Sequence, residues 1–354
     1  MNIRSFGARL GAVLLASAFA PMASNVARAD AVSDFYKGKS VTINIGFGAG
    51  GGYDTYARVL ARHYGNHIPG EPTTIPVNMP GSGALRAANF VYSAAKKDGT
   101  AMALVGASTL MEPLFGNKAA KFDSTKFTWI GSMAKDIAFC GIWKTAGIKT
   151  FEQWKASGKQ LTFGATGPAA ITAQHPLIMR NVIGANAKVL TGYKGTKDVN
   201  LAMQRGEVDG SCGLFVSSIQ AQYQRFVDSG DMILVMQMGP GTTDVFGKVP
   251  SIFDYAKTET DKQVLEIHFG QLLLGRPFVG APGIPADRAK ALQDAFLATL
   301  KDPKLLADAA KARITIDAVS ADEALKLLVG FGAYPKDAIA AATKAIGRTD
   351  KKKK

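Results

Sequence analysis

The chain has 354 residues, 42 Lys and Arg against 28 Asp and Glu, a formal net charge of +14, and only two cysteines. That length suits one large domain or two medium ones with ample core, and 47 % hydrophobic with 20 % charged residues argues against disorder along most of the chain. Two cysteines exclude a disulfide-dense scaffold, a Cys₄ zinc site and an iron–sulfur cluster.

The N-terminus reads as a secretory signal peptide over residues 1–29. Arg4 and Arg9 form a positive n-region, Leu10 to Ala20 is an 11-residue apolar stretch, and Ala27-Arg28-Ala29 is a cleavage box ahead of Asp30. No later segment reaches about 18 uninterrupted apolar residues, so a soluble mature protein is expected. Cleavage takes three arginines and no acid from the +14 and leaves +11; setting aside the basic run Lys351 to Lys354 leaves +7. There is no Arg-rich helix and no interleaved basic–aromatic stripe, so no nucleic-acid partner is expected.

The mature chain alternates short β-rich runs with helical ones, which predicts an α/β fold. Val41 to Phe47 is a strand, followed by a helix on the spacing of Tyr53, Ala57, Leu60, Ala61, Tyr64 and Ile68. Thr73 to Asn78 and Ala101 to Ala107 are strands around a helix marked by Leu85, Ala88, Tyr92 and Ala95. Ile137 to Trp143 is an apolar strand. The pattern then repeats: strands at 161–164, 188–190, 208–215 and 232–235, with helices at 170–182 and 197–205. Two such sets suggest two lobes, each a sheet flanked by helices. Thr242 to Thr260 reads as irregular, Ile267 to Leu274 as a long apolar strand, and helices fill 289–300, 321–331 and 335–346.

The most informative segment is Gly46-Phe47-Gly48-Ala49-Gly50-Gly51-Gly52-Tyr53-Asp54, glycines between a strand and a helix. Bare backbone lets a ligand approach N–H groups, and the helix start adds unpaired donors and a positive dipole end. Gly46, Gly48 and Gly51 match G-x-G-x-x-G, but the acid a dinucleotide fold wants some 20 residues on is replaced by a turn, Pro69-Gly70-Glu71. A P-loop would need Gly-Lys-Ser/Thr where Gly52-Tyr53-Asp54 stands. A plain strand-to-helix turn is the bland alternative. Thr166, Gly167, Pro168, Ala169 and Ala170 repeat the same physics in the second half, so two helix starts facing each other could hold both ends of a dicarboxylate.

These segments resemble the solute-binding proteins of the tripartite tricarboxylate transporters, the Bug (Bordetella uptake gene) receptors. The resemblance covers residues 30–347 and rests on Gly50 to Arg58, Asn78-Met79-Pro80-Gly81, Lys97-Asp98-Gly99-Thr100, Gly192-Tyr193-Lys194-Gly195, Arg205 to Gly210, and Gly280 to Pro285. It implies a two-lobed periplasmic binding protein of type II-like architecture that closes on a small organic mono- or dicarboxylate. In such proteins backbone N–H groups and waters hold the carboxylates. The loop Gly50, Gly51, Gly52, Tyr53, Asp54 matches the first binding loop, Thr166 to Ala170 the second, and Ser108 with Thr109 a third. The family's second loop carries a Gly-Ser pair and a nearby histidine; Ala169-Ala170-Ile171-Thr172 stands here, with His175 as the candidate histidine. The resemblance also implies lobe 1 over 30–142 and 264–354, lobe 2 over 143–263, and crossing strands at Ile137 to Trp143 and Ile267 to Leu274.

Other residues carry two readings each. Asp54 either orients waters or a ligand amine, or is a helix-start acid. Asp209 supports the pocket or closes a turn, and Tyr193 donates to a ligand or packs. His63 and His67 lie four apart on a helix with no third ligand, which reads as a solvated face. Cys140 and Cys212 are two buried thiols or, after export, a disulfide. The expectation is a monomeric periplasmic receptor with no catalytic residue, metal or cofactor, delivering its ligand to a membrane permease. An exported enzyme using the same cleft and a ligand-sensing partner of a signalling receptor are the alternatives.

Overall fold

The structure, a computed structural model, describes residues 31–348. The expected signal peptide and the terminal lysine run lie outside the described residues. In chain order the first stretch is β1 (Ser40–Ile45), α1 (Gly52–Tyr64), β2 (Thr73–Asn78), α2 (Leu85–Ser93), β3 (Ala101–Leu104), the single turn α3 (Ala107–Leu110) and β4 (Thr128–Ser132). The second is β5 (Ala138–Trp143), α4 (Phe151–Ser157), β6 (Leu161–Ala165), α5 (Ile171–Ile183), β7 (Ala187–Thr191), α6 (Thr196–Gln204), β8 (Gly210–Phe215), α7 (Val216–Ser218), α8 (Gln224–Asp228) and β9 (Met232–Met238). The chain returns through α9 (Glu259–Gly270) to β10 (Pro277–Gly280) and ends with α10 (Ala286–Thr299), α11 (Pro303–Lys311), β11 (Val319–Ser320), α12 (Ala321–Phe331) and α13 (Lys336–Ala345).

The strands form two sheets, ordered β11-β4-β10-β3-β1-β2 and β7-β6-β8-β5-β9. Each contains the same parallel unit. In the first, β1 pairs with β2 on one side and β3 on the other; in the second, β6 pairs with β7 and β8. The chain therefore reverses its direction of travel at β1 and again at β6, and a doubly wound sheet opens a crevice beyond the strand ends at such a point. β2 is an edge strand and tolerates Pro76, whose missing N–H faces no neighbour.

Side-chain alternation divides the core. Met102 and Leu104 pack with Ile43, Ile45, Phe278 and the buried stripe of α1, whereas Ala103 faces the opposite way. In the second sheet Cys140 and Ile142 share that opposite cluster with Ala103, while Phe139 and Trp143 pack under α6 and α8. One core thus runs through both halves. Cys140 and Cys212, on neighbouring strands β5 and β8, are joined as a disulfide. His63 of α1 and His67 in the 3₁₀ turn that follows bond Asp308 of α11 and its cap Asp302 at 3.0 and 2.9 Å, so this face docks on α11 and is not simply solvated.

Two expectations are corrected. Ile267 to Leu274 is not a strand: it is the end of α9 followed by a 3₁₀ turn over Gln271–Leu274. Helix and strand cannot be told apart in a continuous apolar run, and Val264, Leu265, Ile267, His268 and Phe269 are all buried here. The overlooked signal was the reciprocal cap at the helix start, where Thr258 bonds the N–H of Asp261 and Asp261 bonds that of Thr258. The lobe boundary at 142/143 also falls inside β5, whose partners β8 and β9 both belong to the second sheet. The chain passes from one sheet to the other between Ser132 and Ala138.

His175 and His268 are fully buried, against Phe269 and Phe115. Burial, helped by the charge of His268, pushes His175 down from 6.5 to about 3. Burial likewise pushes His268 down to about 4, against a hydrogen bond to the Ala342 carbonyl. Their folded-state values lie below the unfolded one, so the unfolded chain takes up protons first as the medium is acidified. Stability is therefore expected to hold above about pH 6.5 and to fall as the pH drops towards 4, with a shallower fall in His175→Phe. Urea midpoints across that range measure this, and a flat profile would contradict it.

Candidate functional site

The loops that leave β1, β3, β6 and β7 all run to one place between the sheets, and each enters a helix there. Their caps are Gly51 for α1, Gly106 for α3, Ala170 for α5 and Gly195 for α6, none of which has a side-chain capping bond. The first N–H groups of a helix have no partner within it, so four sets of backbone donors meet in this crevice. Helices away from it start differently: Thr150, Thr258 and Ser320 cap α4, α9 and α12 with their hydroxyls. The starts of α2, α10 and α13 are also uncapped by side chains, so convergence is what sets the four apart.

The crevice encloses a cavity of about 30 Å³. Its wall is Phe47, Gly51, Gly52 and Tyr53 from the first loop, Gly106 and Ser108 from the third, and Thr166, Ala170, Ile171, Thr172 and Thr196 from the second sheet's loops. Phe47 and Tyr53 stack with ring centroids 4.3 Å apart and form an apolar floor. Thr172 fixes the second loop by accepting the Thr166 N–H at 3.1 Å. The wall holds backbone amides, hydroxyls and apolar groups, with no carboxylate, histidine or cysteine. Larger grooves of about 900 and 600 Å³ lie beside α12 and α10, walled by helix flanks with charges of both signs.

The two sides are clasped directly. The Gly48 N–H donates to the Lys194 carbonyl at 2.8 Å, and the Ser108 hydroxyl donates to the Ala169 carbonyl at 2.8 Å. Glycine is required where the backbones meet: a Cβ on Gly167 would stand 2.4 Å from the Gly83 nitrogen, and Gly83 itself has φ +68°. The remaining 30 Å³ has room for about two water molecules. Anything larger than a few water molecules therefore enters only when the halves part.

Of the residues singled out in the sequence, Gly51, Gly52, Tyr53, Ser108, Thr166 and Ala170 lie on the cavity wall. Gly50 sits at the lip, with φ +77° and its N–H donated to Asp54 at 2.8 Å. Asp54 points away from the cavity. Burial would raise its pKa, but bonds from Arg58, the Gly50 N–H and Asn78 hold it below the usual carboxylate range. It braces the glycine loop as a helix-start acid. Thr109 donates to the Gly83 carbonyl at 2.7 Å, and Gly167 and Ala169 serve the clasp.

Tyr193 and Asp209 lie elsewhere. Tyr193 packs against the cluster under the second sheet. Asp209 ties strands together, accepting the Thr162 N–H at 2.8 Å through its carboxylate and the Trp143 N–H at 2.7 Å through its carbonyl. His175 is enclosed in the core and does not reach the cavity. Sequence reasoning named Phe47, Ile171 and Thr172 only as parts of the loop segments, and missed Gly106 and Thr196. Gly195-Thr196 had a detectable signal, a glycine ahead of a predicted helix as at Gly51.

The chain has the fold of the periplasmic binding proteins. It superposes on BugD over 87 % of its own length and 97 % of that chain, with TM-score 0.67 and 18 % identity. It superposes on MatC of Rhodopseudomonas palustris, solved with bound malate, over 87 % and 99 %, with TM-score 0.66 and 16 % identity. In sequence it is similar to the UPF0065 protein in the gbd 5′ region of Cupriavidus necator, 27 % identical over 270 residues, which span 71 % of this chain and 74 % of that protein. No protein-family model matches the chain.

The clasp makes a specific demand on Gly167. Gly167→Ala should leave the unfolding temperature nearly unchanged, since the clash is between halves and not within one. It should raise the radius of gyration in small-angle scattering by holding the halves apart. A scattering curve identical to that of the parent would contradict the clasp.

Proposed function

We propose that the protein is a periplasmic solute-binding receptor that captures a small organic mono- or dicarboxylate between its two sheets. The observation that carries this is the convergence of uncapped helix starts on one closed crevice. Carboxylate oxygens accept strongly from backbone N–H groups, and three of the four helices, α1, α5 and α6, are long enough to add a positive dipole end. The malate-bound neighbour of the same fold supports a carboxylate ligand. No nucleophile and base stand together on the cavity wall, which supports binding without chemistry on the ligand, and no cofactor or metal takes part.

The moving halves in this reading are the two sheets with their helices: the lobes expected from the sequence, with the first boundary moved ahead of β5. The receptor acts as a monomer in the periplasm after signal-peptide cleavage and delivers its ligand to the membrane subunits of a tripartite tricarboxylate-type permease. The match of its loop segments to the Bug receptors supports that partner. The residual positive balance favours arrival of anions.

A thermal-shift screen over aliphatic, aromatic and amino carboxylates tests the reading, because a ligand bound only by the folded state raises the melting temperature by mass action. At least one carboxylate should stabilise the protein; stabilisation by nucleotides or sugars alone would refute it. Gly51→Val should abolish that stabilisation and leave the fold intact. The cap has φ −88°, which valine tolerates, but even a Cβ there comes within 3.2 Å of the Thr196 hydroxyl across the crevice. Unchanged affinity in Gly51→Val would sink the assignment of the glycine loop.

A further inference from the structure

Arg276 is fully buried, immediately before β10. Its main chain belongs to the first sheet, at the start of the interior strand β10: the N–H donates to Ser132 Oγ at 3.0 Å and the carbonyl accepts from the Met133 N–H at 3.2 Å. Its side chain crosses to the second half, where Nη2 donates to the hydroxyls of Ser217 and Ser218 at 3.4 and 3.3 Å, at the turn that follows β8. The guanidinium carbon lies 4.0 to 4.6 Å from the ring centroids of Phe215, Tyr53 and Tyr56. Nε has no hydrogen-bond partner, and no described carboxylate forms a direct ion pair with the group.

A buried charge without a direct counter-ion is costly, so its surroundings matter. On one side is Asp136, reached only through Ser217, whose hydroxyl donates to Asp136 at 2.5 Å. Asp136 and Ser217 line a separate groove away from the crevice, together with Lys135, Pro240 and Thr243. On the other side are Gly52 and Tyr53, which wall the crevice; a Cβ on Gly52 would stand 3.5 Å from Nη2. The junction of the two halves therefore carries a fully buried, poorly screened positive charge on the cavity side and a partly exposed negative one on the side of the groove.

We propose that Arg276 is a specificity-determining residue: its buried guanidinium, one layer behind Gly52 and Tyr53, selects anionic over neutral ligands and ties their binding to closure across Ser217 and Ser218. This rests on the carboxylate reading above and adds to it a charge that does not touch the ligand. The backbone donors already favour a carboxylate, which offers two acceptor oxygens where its amide offers one beside an N–H donor. The guanidinium adds to that preference through its charge.

The test compares affinities by calorimetry for the best carboxylate from the screen and for its uncharged amide. In the parent protein the carboxylate should bind more tightly. Arg276→Met, an apolar side chain of comparable length, should weaken the carboxylate about tenfold or more and leave the amide within about twofold, and Arg276→Lys should retain most of the preference. Asp136→Asn should act in the opposite sense, tightening the carboxylate about threefold with no effect on the amide; it tests the field should Arg276→Met fail to fold. Equal weakening of both ligands in Arg276→Met, or an unchanged preference in Asp136→Asn, would overturn the proposal. A parent protein that binds no carboxylate would overturn the functional reading itself, and this proposal with it.

Discussion

A buried backbone N–H must find an acceptor or cost about 1–3 kcal/mol, and this fold brings four helix starts with uncapped N–H groups to one crevice. Everything else about the site follows from that demand. Glycines at 48, 51, 83 and 167 let the loops come close enough to enclose the donors, and the clasp between Gly48 and Lys194 holds the two sides together. A closed crevice is stable only when something inside accepts those bonds. In the proposed receptor, closure and anion capture are one equilibrium, and a ligand shifts it by as much as its affinities for open and closed states differ.

The two parallel units explain why the donors meet. Each sheet reverses its winding once, at β1 and at β6, and the loops at those points leave the strands towards the same crevice. Structures of BugD and of malate-bound MatC share this architecture at 18 % and 16 % identity. At such identities the shared property is the backbone path, which is also what supplies the donors. Arg276 fits the same logic from behind: it adds charge without a side chain in the cavity, so the wall stays bare backbone, hydroxyl and aromatic ring.

Much of the fold was legible because periodicity and glycine placement survive without tertiary context. Thr73 to Asn78 is a strand over the expected bounds, and the loops at Gly51 and Ala170 lead into helices as expected. What failed was signal that needs a partner to interpret. Ile267 to Leu274 is buried at all but Gly270 and Leu273 and so shows no helical stripe. Thr128 to Ser132 was not recognised as a strand, because it is short and its neighbours β10 and β11 lie far along the chain. Tyr193 and Asp209 sit in segments that resemble the Bug receptors, yet one packs under the sheet and the other ties strands. Arg276 had no local mark at all, since its role comes from three aromatic rings and two serines distant in sequence.

The most direct test of the central claim is a ¹H–¹⁵N NMR titration with the stabilising carboxylate. The account predicts that the amide protons of Gly51, Gly52, Ile171, Thr172 and Thr196 move downfield together as they become hydrogen-bonded, with one shared affinity. Saturating binding that leaves these amides unmoved, and shifts only side-chain signals at Lys194 and Lys197 on the rim, would contradict it.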